Sequence, residues 1–322
     1  MSIEIGDFVK GITNNYDITN TKMTRGVVTD VRDRSIVVRV LDHNDDKTGM
    51  YIVDPEKFEV IGHQKQFDRA EVLKLLKDGC KKAILDYDLR GADLSHTDLS
   101  YTDLSYTDLS HTDLNGAILK GAILKGAILK GAVLKGAVLN GADLSHTDLS
   151  HTDLSYTDLS YTDLSHTDLN GAILNGAILK GAILKGAILK GAILKGAVLN
   201  GADLSHTDLS HTDLSYTDLS YTDLSHTDLN GAVLNGAVLN GAVLKDADLR
   251  GADLDYSCYP LSCGSLHLKA DKRLACQLAY YLCSLQCDDA DYIKMRNSIL
   301  DFANQFHRVC ECGKLEERES II

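Results

Sequence analysis

The chain has 322 residues, room for two or three domains, with 44% hydrophobic residues and a formal net charge of −13 at pH 7. No apolar run approaches the ~20 residues that a membrane-crossing helix needs, and the acidic balance disfavours direct contact with nucleic acid. The start, Met1-Ser2-Ile3-Glu4, has no basic segment leading into an apolar core, so no signal peptide and a cytoplasmic location are expected.

Residues 1–62 alternate apolar runs with turn residues. Asp7–Ile12, Gly26–Val31, Ser35–Leu41, Met50–Val53 and Phe58–Ile61 read as strands, separated by Asn14-Asn15, Asp33-Arg34 and Asn44-Asp45-Asp46. Five strands in so short a stretch predict a small SH3-like β-barrel over 1–62, a fold class that names no ligand. Arg25, Arg32, Arg34 and Arg39 are interleaved with acids, so a solvated face is expected there rather than a nucleic-acid patch. Residues 63–88 carry Val72, Leu73 and Leu76 at helical spacing, with Asp68 placed as N-cap, and predict a helix that caps the domain beginning at Leu89. Cys80 is expected as a small buried apolar residue.

From Leu89 to Leu254 a leucine falls on every fifth residue without exception. Helices repeat apolar positions every 3.6 residues and strands every 2.0, so a period of five calls for a repeat architecture. The units read Ala92-Asp93-Leu94-Ser95-His96 or Ala117-Ile118-Leu119-Lys120-Gly121, with Ala or Thr two places before the Leu. On these residues, over about half of the chain, the sequence resembles the pentapeptide-repeat family, whose pattern is A(D/N)LXX.

The resemblance implies a right-handed quadrilateral β-helix over 89–254, mainly β, with four pentapeptides in each coil. It also implies that Leu and the preceding Ala or Thr point inward and the other three positions outward. Leu94, Leu99, Leu104, Leu149, Leu189 and Leu234 then belong to the solenoid core, each contributing roughly 2 kcal/mol on burial. Coils stacked at ~4.8 Å would make a rod of roughly 40 Å.

A second period overlies the first. The residue before Leu is Asp from Asp93 to Asp113, Ile or Val from Ile118 to Val138, Asp from Asp143 to Asp168, Ile or Val from Ile173 to Val198, and Asp from Asp203 to Asp228. Most Asp units end in Ser-His or Ser-Tyr, whereas Ile/Val units carry Lys120 to Lys135 or Lys180 to Lys195, each with Gly after it. The rod is therefore banded around its circumference. Residues 91–254 hold 10 basic and 20 acidic side chains, so most of the charge imbalance lies there. Tyr101, Tyr161 and Tyr221 should line up three coils apart, with Asp98, Asp103, Asp158, Asp163, Asp218 and Asp223 beside them as a candidate interaction surface. Duplication of a block of about sixty residues is the competing reading, since 141–172 repeats unchanged as 201–232. The outward histidines, among them His96, His111, His146 and His166, form no defined chelate, so no metal is expected.

Residues 255–322 open with an exit loop through Pro260. Leu274, Leu278, Leu282 and Leu285 then share a helix face behind Asp271 as N-cap, and Ile293, Leu300, Ala303 and Phe306 suggest one further helix. The resemblance implies a C-terminal helical cap that forms a homodimer, through Leu274, Leu278, Leu282, Leu285, Ile293 and Leu300. Seven cysteines gather here without a paired CxxC motif and are expected as reduced, buried thiols rather than a zinc site.

No phosphate loop, GxSxG or HExxH occurs, and a regular rod offers no concave site, so neither catalysis nor a cofactor is expected. The favoured reading is a rigid acidic rod that scaffolds a protein partner. The alternative, drawn from the fluoroquinolone-resistance members of the family, is a mimic of B-form DNA that binds DNA gyrase.

Overall fold

The computed structural model describes residues 7–11, 25–32, 35–42, 50–53, 58–79, 81–257, 269–284, 290–306 and 309–317. Strands β1 (Asp7–Gly11), β2 (Arg25–Arg32), β3 (Ser35–Asp42), β4 (Met50–Val53) and β5 (Phe58–His63) form one sheet in the order β4-β3-β2-β1-β5. All four pairings are antiparallel, with Phe8 opposite Val27, Val31 opposite Ile36 and Val38 opposite Tyr51. Cys80 lies outside the described residues.

Helix α1 (Arg69–Lys77) begins where Asp68 accepts the Glu71 amide, as the local sequence requires. Its Val72 is fully buried, and Phe67, Leu75 and Leu76 pack with it against the first leucines of the repeat region. A 3₁₀ turn over Lys81–Asp86 leads into the first coil. Lys65 adds a parallel bridge to Tyr87 beside it, donating its amide to Asp86 O and accepting from Asp88 N.

From Asp93 to Val233 each unit bridges, in parallel, the residue twenty places on: Asp98 to Ile118, Ile118 to Val138, Val138 to Asp158. Twenty residues at five per unit make a four-sided coil. Each side is tied to the next coil in both directions, for instance by Leu99 N to Ile118 O and Ile118 N to Thr97 O, at 2.7 and 2.8 Å. The core leucines Leu94, Leu99, Leu104, Leu149, Leu189 and Leu234 are all fully buried, and the Ala or Thr two places earlier is buried throughout. Single sides are too short to be stable strands, so the stacked leucine column and the intercoil bonds hold the element together.

Both ends of the stack expose backbone that an interior coil would pair, and each end is answered by a side chain. At the start, the Arg69 guanidinium donates to Asp93 O (2.7 Å) and Ser95 O (3.0 Å) and pairs with the Asp93 carboxylate. In the interior, the equivalent carbonyls of Asp113 and Asn115 accept from Leu94 N and His96 N, so Arg69 stands in for the missing coil. At the far end, Lys269 bridges Asp248, and Asp271 accepts both Gly251 N (2.8 Å) and Leu274 N (2.9 Å). Asp271 thus both starts α2 (Lys272–Ser284) and seals the last coil.

Leu274 is buried in the solenoid core and Leu278 packs on its rim. The single further helix expected from Ile293 to Phe306 is instead two, α3 (Ala290–Ser298) and α4 (Leu300–Ala303), broken at Ile299. Beyond the break, Ala303 and Phe306 pack on Tyr280 and Cys283 of α2. Among the described residues no helix is long and apolar enough to cross a membrane.

Candidate functional site

The surface of the rod is written by two kinds of corner. In each unit the second residue after Leu has φ between +56° and +70°, the left-handed region. It is the third residue of a four-residue turn closed by bonds such as Thr97 N to Leu94 O. Gly adopts that conformation without cost, whereas an L side chain loses roughly 1–2 kcal/mol there. Yet fifteen of these corners carry His or Tyr.

Every such His or Tyr comes three residues after an Asp. From Asp98 to Asp223 the Asp Oδ1 of these units accepts the Ser amide lying between: Asp98 from Ser100 at 2.9 Å, Asp158 from Ser160 at 3.0 Å, Asp218 from Ser220 at 2.9 Å. From His96 to His226 the next residue is always Thr, whose buried hydroxyl in most units donates to a Leu carbonyl, as Thr162 does to Leu159 O at 2.6 Å. Asp and Thr therefore brace the strained aromatic corner from outside and inside. The Ile/Val units from Ile118 to Val238 place Gly at the corner and have neither, whereas the Asp units at 113, 168, 228 and 248 keep the Asp–amide bond before a Gly corner. The Ser was expected to face outward with the other non-core positions, but Ser105, Ser145 and Ser150 are buried, because the Asp carboxylate folds back over them.

The aromatic rings lean along the rod onto the next coil. The Tyr101 ring covers Gly121, Tyr161 covers Gly181 and Tyr221 covers Gly241, each within 2.9 Å of where a β-carbon would stand. His146 stacks on His166, and His206 on His226, with ring centroids 5.1 and 4.8 Å apart. Sequence reasoning missed both relationships. The signal was present, since each of these Gly residues lies twenty places after its aromatic.

Coil register places Tyr101, Tyr161 and Tyr221 on one edge of the rod, 72%, 65% and 72% exposed. Asp98, Asp158 and Asp218 lie on the face to one side of that edge, and Asp103, Asp163 and Asp223 on the face to the other. The nine candidate residues are thus three copies of one Asp-Tyr-Asp corner, about 14 Å apart. Between them the edge carries Ile118, Lys120 and Ile123, then Val138, Asn140 and Asp143, and repeats with Ile178, Lys180 and Ile183.

Perturbed carboxyls gather at the rod's ends. The Ser95 hydroxyl and amide, with Arg69, hold Asp93 below the usual carboxylate range. The Arg250 guanidinium does the same for Asp248, and the Leu274 and Gly251 amides for Asp271. These are structural bonds of the caps. Among the described residues no group of three or more His, Cys, Asp or Glu is arranged to hold a metal. Cys276 and Cys283 are buried thiols, with Cys283 pushed up by burial, and Cys312 is exposed.

Of the residues expected at a dimer contact, Leu274, Ile293 and Leu300 are buried within the chain, and Leu285 lies outside the described residues. Leu282 is exposed, together with Tyr281 and Phe302.

The family described as pentapeptide repeats matches in eight copies over residues 88–126, 117–155, 152–191, 192–231 and 217–255, just over half of the chain. No curated protein sequence is a significant match. Among solved structures, the chain is similar to HetL, a pentapeptide repeat protein involved in heterocyst differentiation regulation from the cyanobacterium Nostoc sp. strain PCC 7120. The identity is 27%, over 64% of this chain and 95% of that one, with a TM-score of 0.34. It is also similar to QnrB1, a plasmid-mediated fluoroquinolone resistance protein, at 22% identity over 62% of this chain and 92% of that one, with a TM-score of 0.40. A third similar structure is Rfr23 from the cyanobacterium Cyanothece 51142, at 27% identity over 50% of this chain and 98% of that one, with a TM-score of 0.24. The leucine ladder, the twenty-residue coil and the family match together establish that this chain belongs to the pentapeptide-repeat family.

Proposed function

We propose that this protein is a non-catalytic rod that binds a protein partner along the edge carrying Tyr101, Tyr161 and Tyr221. The observation that carries this reading is the threefold, evenly spaced Asp-Tyr-Asp corner. Large aromatics stand mostly exposed there in a conformation that costs energy to hold, when Gly serves the same corner elsewhere at no cost. Tyr combines apolar area with a hydrogen-bonding tip and is enriched where proteins meet. In this reading the N-terminal sheet closes as a small SH3-like barrel carried at one end of the rod, with domains at 1–62, 63–88, 89–254 and 255–322. Pairing of two chains through the C-terminal helices would draw on Tyr281, Leu282 and Phe302, large apolar residues exposed there among the described residues.

Mimicry of DNA toward gyrase is the weaker reading on magnitude. B-form DNA carries about one charge per 1.7 Å, or roughly 24 over a 40 Å rod. Residues 91–254 sum to −10, and Lys120–Lys135 and Lys180–Lys195 interrupt the acidic belts. The test is affinity capture from the source cell's extract with the parent and with Tyr101, Tyr161 and Tyr221 all changed to Ser. A protein retained by the parent and lost by the variant, with both equally folded, supports the reading. Identical retained proteins would overturn it, and gyrase retained by both would favour mimicry.

A further inference from the structure

The Lys belts have a relationship to the Asp belts that the Tyr edge does not use. Each corner of the coil carries Lys at three-coil spacing: Lys120 and Lys180, Lys125 and Lys185, Lys130 and Lys190, Lys135 and Lys195. The Asp belts 143–168 and 203–228 repeat at the same spacing, so positive and negative belts alternate every ~7 Å along a period of about 14 Å. A body with this pattern is complementary to itself only at particular offsets.

A two-fold axis perpendicular to the rod supplies one such offset. The repeat region spans 89–254, and its middle lies between residues 171 and 172. A dyad there lays two rods antiparallel at full overlap and sends each residue n to the level of 343 − n. Lys180–Lys195 then faces the partner rod's stretch 148–163, where every unit carries Asp. Lys120–Lys135 faces the stretch 208–223, again with Asp in every unit. The acidic stretch 93–113 faces 230–250, which holds two basic and two acidic side chains and is neutral. Outside the rod, the same dyad sets α1 of each copy beside α2 of the other. In-register parallel pairing instead sets like belts against like.

We infer that two copies of this chain pack side by side, antiparallel and fully overlapped, with the Lys belts of each against the Asp belts of the other. A two-fold contact of this kind closes after two copies because both use the same face. It competes with pairing through the C-terminal helices, which it sets at opposite ends of the dimer. In the belts that face Lys, Asp158 accepts the Ser160 amide and Asp213 the Ser215 amide through Oδ1, so an ammonium would approach from the side of Oδ2. The contact also covers Ile188 and Ile193, 43% and 38% exposed, that flank Lys190 on the edge opposite the Tyr residues. A strip about 40 Å long and about 20 Å wide supplies about 800 Å² per partner, the size of an ordinary specific interface. The contact lies on the flank of the rod and stands independently of the Tyr edge.

The experiment is sedimentation equilibrium of the full chain at about 0.05 and 0.5 M salt, since exposed charge pairs are screened across that range. The expected result is a dimer whose dissociation constant rises at least about tenfold at the higher salt. Changing Lys180, Lys185, Lys190 and Lys195 together to Glu is expected to give a monomer with an unchanged circular dichroism spectrum. Orientation is read by amine cross-linking of mixed heavy- and light-isotope chains, where links between chains are expected from Lys65 or Lys74 to Lys272 or Lys294. A monomer at both salts would overturn the proposal. A dimer indifferent to salt, or one whose interchain links join only Lys272 and Lys294 to one another, would also overturn it and mark a contact between the C-terminal helices. Should the Glu variant fail to fold, the salt dependence and the cross-link pattern still decide.

Discussion

The Tyr161 ring lies over Gly181 of the next coil, its Cε1 2.8 Å from where a β-carbon at 181 would stand. Gly181 and Gly201 share the same left-handed backbone, at φ +64° and +69°, yet Gly201 has nothing within 4 Å. Gly201→Ala is therefore expected to cost only the backbone term of roughly 1–2 kcal/mol. Gly181→Ala is expected to cost more, because the ring must also move. Urea denaturation of both, repeated with Tyr161→Ser, checks this: the excess at 181 should vanish once the ring is gone.

The Asp of an aromatic corner is a turn residue first. Asp158→Ala removes the acceptor of the Ser160 amide and is expected to cost about 0.5–1.5 kcal/mol, whereas Asp158→Asn keeps an acceptor and should cost less. Combined with Tyr161→Gly, the Ala substitution should become nearly neutral, since a glycine corner needs no brace. A double-mutant cycle in urea measures the coupling; additive costs would show that the carboxylate does not brace the corner.

Core and surface positions one residue apart should differ sharply. Leu189 is fully buried and Ile188 is 43% exposed. Leu189→Ala is expected to lose about 2–5 kcal/mol, and Ile188→Ala less than about 0.5 kcal/mol, by the same denaturation measurement.

Arg69 supplies donors that an interior coil would supply from its backbone. Arg69→Ala leaves the Asp93 and Ser95 carbonyls without them, so the first coil should fray while the middle of the rod is unchanged. Hydrogen exchange is expected to quicken for amides of residues 91–111 and to stay the same for 171–191.

Acid should loosen the far cap. The Leu274 and Gly251 amides depress the Asp271 carboxyl below its usual value of 3.8, so its stabilisation is fully present above that pH and is lost as pH falls through the lower folded value. Thermal melts from pH 6 toward pH 2 should show this loss below about pH 4, and Asp271→Asn should lack that component.

Much of this architecture is legible from short-range pattern. A period of five that is neither helical nor strand-like identifies the coil, and the caps at Asp68 and Asp271 are local because an N-cap bond spans only three residues. What escaped the sequence is where side chains lean. The twenty-residue coil sets Tyr161 beside Gly181, but that the ring lies over the glycine is a matter of its own orientation. The burial of Ser105 and its fellows reflects where the Asp carboxylate turns, which periodicity does not report. The break at Ile299 has no Pro or Gly to announce it and results from Ala303 and Phe306 packing on α2. At the candidate edge, alternation along the chain and a coil of four units group the Asp and Tyr residues three coils apart, and the register adds which face beside the edge each Asp occupies.

Contact between the Tyr edge and a partner is tested most directly by labelling tyrosines with a ring-specific reagent, in cell extract and on the purified protein at high dilution. Reactivity of Tyr101, Tyr161 and Tyr221 is expected to fall together in extract, while that of Tyr256, 68% exposed at the end of the rod, is not. Equal reactivity of the three in both settings would contradict a partner on that edge.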